Sequence, residues 1–131
     1  HPFWYGEVVS ILHANVSHPE LPGRCERMEF LYVRWLGHDP LDEGGLEKKR
    51  LHRIGYLTQD DNTAFGFLDP QLVIRATHLI PAFQEQRTRD YLPKSLIRRP
   101  EQNDEDWCFY YVNFFVDRDM RMRYMPHAVG H

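Results

Sequence analysis

Residues 28–37 read MEFLYVRWLG. Leu31, Val33 and Trp35 alternate with Phe30, Tyr32 and Arg34, and a period of two is the period of a strand. The stretch predicts a sheet with one apolar face and one face that is aromatic but partly wet. Residues 107–116, WCFYYVNFFV, repeat the signal near the other end of the chain. Val33 and Val112 sit centrally in these two runs and are the expected core. A third strand opens the chain at residues 3–16, FWYGEVVSILHANV, where Val8, Val9 and Ile11 are β-branched. Gly6 within it marks a bulge or a close backbone approach.

Between these runs lie polar, Pro- and Gly-rich stretches. Residues 17–27 and 38–50 read as loops, LHRIGYL as a short strand, and TQDDNT as a turn. Residues 64–83 predict a strand, a turn at Asp69-Pro70 and a second strand or a single helical turn, since Pro70 and Pro81 bracket the apolar run. Residues 84–106 are polar and predict a flexible insertion with one short helix. DRDMRMRYM, from residue 117, either extends the preceding strand or turns out of it. Five or six short strands and at most short helices predict an all-β fold. Its expected form is a small SH3-like antiparallel barrel or a strongly bent sheet, with long loops. The 131 residues fit one domain, excised from a larger protein.

Composition narrows the function classes. The formal net charge of −3 gives no whole-protein basic field to draw the chain onto nucleic acid. Any such contact has to come from a local patch. Cys25 and Cys108 are far apart and form no metal-binding pair, which suits two reduced thiols in a reducing compartment. No run reaches the length of a membrane span. His13, His18, His38, His52, His78, His127 and His131 are scattered without HxH or HExxH spacing. No G-x-S-x-G, phosphate-binding loop or dinucleotide fingerprint occurs. No metal or cofactor is therefore expected.

Three clusters remain. Phe3, Trp4 and Tyr5 cannot all point inward on an alternating strand. Trp4 and Tyr5, with Tyr32 and Trp35, either pack as core and rim or form an aromatic pocket for a methylated ammonium or a peptide. Arg118, Arg121 and Arg123 suit phosphate, although Asp117 and Asp119 stand ready to neutralise them. If the segment is extended, Arg121 and Arg123 share a face. Lys48, Lys49, Arg50 and Arg53 make a second basic spot. A metal-dependent nuclease built on Asp117 and Asp119 is the alternative from another class, and an aromatic dimerisation interface is a third.

The order of HPFWYGEVVSILHANV, MEFLYVRWLG, RLHRIGYL, AFGFLDPQLVIRATHLIPAF, DWCFYYVNFFVDRDMRMRYM and VGH resembles a region of large proteins in mushroom-forming fungi. Those look like products of DNA transposons of the Kyakuja–Dileera–Zisupton and Plavaka kinds. The resemblance runs over nearly the whole chain. Catalytic acids of such transposases would lie upstream, so no catalytic residue is carried onto this chain. FWYGEV, VRWLG and HLIPAF also resemble, more loosely and in the same order, segments of bromo-adjacent homology domains and other SH3-like chromatin readers. Together these resemblances imply a non-catalytic nuclear module. It would dock a transposon-encoded protein onto a histone tail or another nuclear peptide, or onto DNA through the arginine patch.

Overall fold

The computed structural model describes residues 3–42 and 44–125. The strands are β1 (Tyr5–Ser17), β2 (Cys25–His38), β3 (Arg53–Tyr56), β4 (Phe65–Leu68), β5 (His78–Pro81), β6 (Arg87–Thr88), β7 (Asp106–Trp107) and β8 (Tyr110–Asn113). One helix, α1 (Arg118–Tyr124), follows, and 3-10 turns cover Pro70–Leu72 and Pro100–Gln102. The expected all-β class holds, and all the strand pairings are antiparallel. The main sheet runs β1-β2-β3-β8-β5, with β4 also on β2, while β6 and β7 pair separately. Among the described residues β1 and β5 do not join, so the sheet is open and the barrel is not closed.

β2 organises this sheet because it is long enough to hold three neighbours. β1 pairs with it from Tyr5↔Leu36 to Ser17↔Cys25. On its other side β4 takes Leu31 to Arg34 and β3 takes Leu36 to His38. The β1–β2 ladder shifts register between Val8 and Ser10, so the bulge is there and not at Gly6. Gly6 is the close approach instead. A Cβ on it would sit 2.3 Å from Val33 Cγ1 and 3.1 Å from Trp35 Cε3. Only glycine lets the two strands lie that near.

The core forms on one face of the sheet, where Tyr5, Leu36, Ile54 and Val112 are buried. Phe3, Tyr56, Leu79, Tyr110 and Tyr124 pack around them. Val33 is buried too, on the opposite face, since it pairs with Val8 and Gly66 while its neighbour Arg34 shares the core side. Residues 118–124 neither extend β8 nor form a strand. They are helical because Asp117 caps the first turn, its carboxylate accepting from the Asp119 and Met120 amides. The helix buries Met120 and stacks Tyr124 on Phe114 at 4.7 Å.

Two sequence expectations fail in one place, and for one reason. Arg34 is not on a wet face, and residues 84–106 are not a loose insertion. Arg34 is fully buried, and its Nη1 and Nη2 each donate to Asp106 at 2.9 Å. Arg98 Nη2 donates to the same carboxylate at 2.6 Å, while Arg98 Nη1 donates to the Pro93 carbonyl at 2.8 Å. The 107–116 run is also shorter than expected: Asp106–Trp107 belongs to β7 on β6, and only Tyr110–Asn113 joins the main sheet. The polar segment is thus pinned across the core face by a two-arginine, one-carboxylate cluster.

Removing the shared carboxylate should leave two buried guanidiniums without their counter-charge, a change that typically costs about 3–5 kcal/mol. Asp106→Ala is expected to lose that much stability in urea denaturation, and the exposed control Asp60→Ala to change by less than about 0.5 kcal/mol. Burial alone would raise the Asp106 pKa, but the bonds from Arg34 and Arg98 more than offset it and hold it below its ordinary 3.8. The folded state is therefore favoured above that value. Stability should fall as pH drops below 3.8 towards the folded pKa, with proton uptake on unfolding, and Asp106→Asn should remove that share of the acid sensitivity.

Candidate functional site

The structure does not bring Trp4, Tyr5, Tyr32 and Trp35 together. Tyr5 is core, its ring 6.0 Å from His38. Trp4 is 78% exposed and meets Trp35 edge to face at 6.4 Å on the opposite side of the sheet. Trp35 lies against Gly6, its own partner on β1, and Gly66, the partner of Val33 on β4, and a Cβ on Gly66 would sit 3.0 Å from its Nε1. Tyr32 is on the core side, stacked on Phe65 at 5.7 Å and tilted against Phe67 at 5.4 Å. Alternation along β1 and β2 forbids the four-ring pocket.

A different aromatic cleft forms where the pinned segment crosses the sheet. Its floor is Tyr56 of β3, Tyr110 of β8 and Leu79 of β5, and its walls include Glu7, Arg87, Trp107, Glu101 and Glu105. Its volume is about 480 Å³. Tyr56 and Tyr110 stand at 86° with their centroids 5.9 Å apart, giving two walls at right angles. Tyr56 OH donates to Glu7 Oε2 at 2.9 Å, which ties the floor to β1. The Arg34 guanidinium lies 3.7 Å beneath the Tyr56 ring, so the pin that holds the wall also seats the floor. Arg87 covers Trp107 at 4.7 Å, and Phe83 meets the same indole edge to face at 5.3 Å.

The electrostatics of this cleft follow from its depth. Burial pushes the Tyr56 hydroxyl well above the ordinary phenol range, and the nearby Glu7 carboxylate adds to it. Tyr110 is raised first by burial, then by the charges of Asp106 and Glu7. Both phenols therefore stay neutral at physiological pH. Glu7, Glu101 and Glu105 face the guanidiniums Arg87 and Arg99, and Arg89 pairs with Glu105 at 3.4 Å, so the charges of the rim balance. The 3-10 turn that carries Glu101 is fixed by the Arg99 amide donating to Gln102 Oε1 at 2.7 Å. The arrangement suits a cation flanked by aromatic faces and carboxylates. It presents no nucleophile with an adjacent base.

The other candidates separate cleanly. Helix formation puts Arg121 and Arg123 on different sides of α1 and aligns Arg118 with Arg121 one turn apart. Asp117 and Asp119 do not neutralise the whole set, because Arg75 bonds both of them and Arg123 shares Asp119. Among the described residues no ion pair holds Arg118 or Arg121. The same bonds commit both aspartates, and no group of three or more His, Cys, Asp or Glu able to hold a metal ion occurs among the described residues. Arg53, read as part of a basic spot, is mostly buried against Asp39, Asp42 and Glu85 and lies 4.4 Å over Phe109. Cys25 and Cys108 are free thiols. His127, His131 and the closing VGH lie outside the described residues.

Sequence reasoning missed the cleft because its floor joins strands far apart in the chain. Tyr56 and Tyr110 meet only through the β3–β8 pairing, Arg53↔Tyr111 and Ile54↔Tyr110. The one available signal was that both tyrosines fall in strand-like runs. No protein-family model, curated protein or solved structure matches the chain. No described helix is long and apolar enough to cross a membrane.

Proposed function

We propose that this chain is a non-catalytic docking module that binds an extended, lysine-bearing peptide of chromatin, a methylated histone tail above all, in the cleft over β3 and β8. The resemblance of its sequence to transposon-encoded proteins of fungi sets the context: the module would hold such a protein on nuclear chromatin. The observation that carries the reading is the pair of orthogonal tyrosines, Tyr56 and Tyr110, beside Trp107 and the carboxylates Glu7, Glu101 and Glu105. Aromatic faces attract a methylated ammonium, and each desolvated contact is worth up to about 2 kcal/mol. Arg87 already occupies this kind of position over Trp107. A ligand cation would sit beside it or displace it, which limits affinity to the micromolar range, about −8 kcal/mol at 1 μM.

The measurement is calorimetric titration with histone-tail peptides, unmodified and trimethylated. The methylated peptide should bind in the micromolar range. Tyr110→Ala and Glu101→Lys should each weaken binding by about tenfold, the loss of one contact of about 1.4 kcal/mol. Circular dichroism must show both variants folded. Equal, negligible heats for all peptides would refute the cleft as a reader site.

A second reading rests on Arg118 and Arg121, exposed one turn apart on α1. If they contact DNA phosphates, binding to duplex DNA should weaken with salt. Arg118→Ala and Arg121→Ala should each flatten the log–log salt slope by about one unit. Arg123→Ala should leave the slope nearly unchanged, because Asp119 already pairs that guanidinium. No binding at low salt, or an equal effect from Arg123, would remove this reading.

A further inference from the structure

β5 ends the main sheet, and its outer edge carries no strand among the described residues. Two bonds fix which of its backbone groups face that edge. The Val112 amide donates to the His52 carbonyl at 2.9 Å, so Val112 turns its backbone groups away from β5. The Ala82 amide donates to the Phe109 carbonyl at 3.0 Å, one step along the ladder from Pro81↔Tyr110. Antiparallel pairs alternate between bonded and unbonded. His78, Ile80 and Ala82 are therefore the residues that bond β8, and Leu79, opposite Val112, points its N–H and C=O outward. Among the described residues no turn or loop bond takes either group. Pro81 has the same parity as Leu79. The N–H it lacks would face outward, so its presence costs the ladder nothing. Its carbonyl already accepts from the Phe83 amide at 2.9 Å.

We infer that the peptide is held by this edge as well as by the cleft. Its lysine stands opposite Leu79 on an antiparallel chain, exchanges both backbone bonds with Leu79, and lays its side chain over Leu79 towards Tyr110. The inference rests on the cleft being the reader site and adds the element that holds the main chain. Leu79 is itself part of the cleft floor. Directly opposed residues share a face of the sheet, so the residue that bonds Leu79 sends its side chain to the cleft side. The residues before and after it point to the other face, where Ile80 is 37% exposed. The docked chain lies two strand spacings from β8, about 10 Å, a gap that a lysine and a tyrosine side chain close from its two sides.

The edge also selects what docks. Sheet-to-sheet pairing takes a row of successive backbone bonds, and a short edge ended by proline does not supply one. Here Leu79 gives one donor and one acceptor, and Pro81 then gives neither. One residue of an extended peptide uses that pair in full, and the pocket beside it reads that residue's side chain.

The test is amide hydrogen exchange by NMR, on the protein alone and with the trimethylated histone-tail peptide. In the free protein the Leu79 amide should exchange at least about tenfold faster than those of Ile80 and Ala82, and saturating peptide should slow it by about tenfold or more. Replacing the lysine's backbone N–H by an ester oxygen should weaken binding about fivefold, the loss of one ordinary hydrogen bond. The same ester at the residue before the lysine should change little, because that N–H points away and the carbonyl it weakens faces Pro81. A Leu79 amide that is slow in the free protein overturns the inference, as does protection that grows with protein concentration alone, which would put a second copy on the edge. Peptide binding with Leu79 unprotected, or with both esters equally weak, overturns the edge and leaves the cleft reading standing. No peptide binding removes both.

Discussion

Everything that makes a site on this protein depends on one buried carboxylate. Asp106 accepts from Arg34 on β2 and from Arg98 in the segment that crosses the sheet, all three out of contact with water. Two guanidiniums against one carboxylate leave an excess positive charge in the interior, which is expensive unless something else receives it. The Tyr56 ring lies 3.7 Å over Arg34 and presents its electron-rich face to that charge. Core, wall and cleft floor are thus coupled: the ring that offsets the arginine is the ring that lines the cleft. A second node repeats the device on the opposite sheet face, where Arg53 joins Asp39, Asp42 and Glu85 and rests over Phe109.

These nodes explain which parts of the molecule were legible in its sequence. β1 and β2 could be read because apolar alternation and glycine placement are local signals, and their ladder needs only a hairpin. The all-β class followed from the same signals. Arg34 could not be read. A charged residue in an alternating strand marks the wet face in nearly every sheet, and its burial depends on a carboxylate 72 positions away. The same blindness made residues 84–106 look loose, since nothing in a polar stretch announces that Arg98 and Asp106 fold inward.

At the helix the sequence leaves open whether the strand extends or turns out, for a different reason. DMRMRYM alternates with a period of two, as a strand does, yet Met120 and Tyr124 are also spaced one helical turn apart. Asp117 decides between them by capping the first turn, and Arg75 holds Asp117 and Asp119 from outside the segment. The aromatic pocket failed through face parity. Trp4 and Trp35 lie on one side of the sheet and meet edge to face at 6.4 Å, with Tyr5 and Tyr32 on the other side, so the four rings share no single pocket. The cleft that does exist draws its rings from β3, β7 and β8, which no local pattern joins.

The bulge in β1 settles how far the apolar face reaches. Up to Glu7 the core side of β1 carries the odd-numbered residues, Tyr5 and Glu7, opposite Leu36 and Arg34. With an unbroken ladder that parity would continue, and Ile11, His13 and Asn15 would stand beside Phe30 and Met28. The extra residue between Val8 and Ser10 reverses it. Ser10, Leu12, Ala14 and Val16 now take the core side, and Ile11, His13 and Asn15 move to the other. One inserted residue thus brings Leu12 and Val16 to the side of Phe30 and Met28, while Ile11 stays exposed on the other. The core of the fold and the bare strip beyond it are consequently a single surface. The chain's own segments, pinned by Asp106 and capped by Asp117, cover it only as far as Tyr56 and Tyr110.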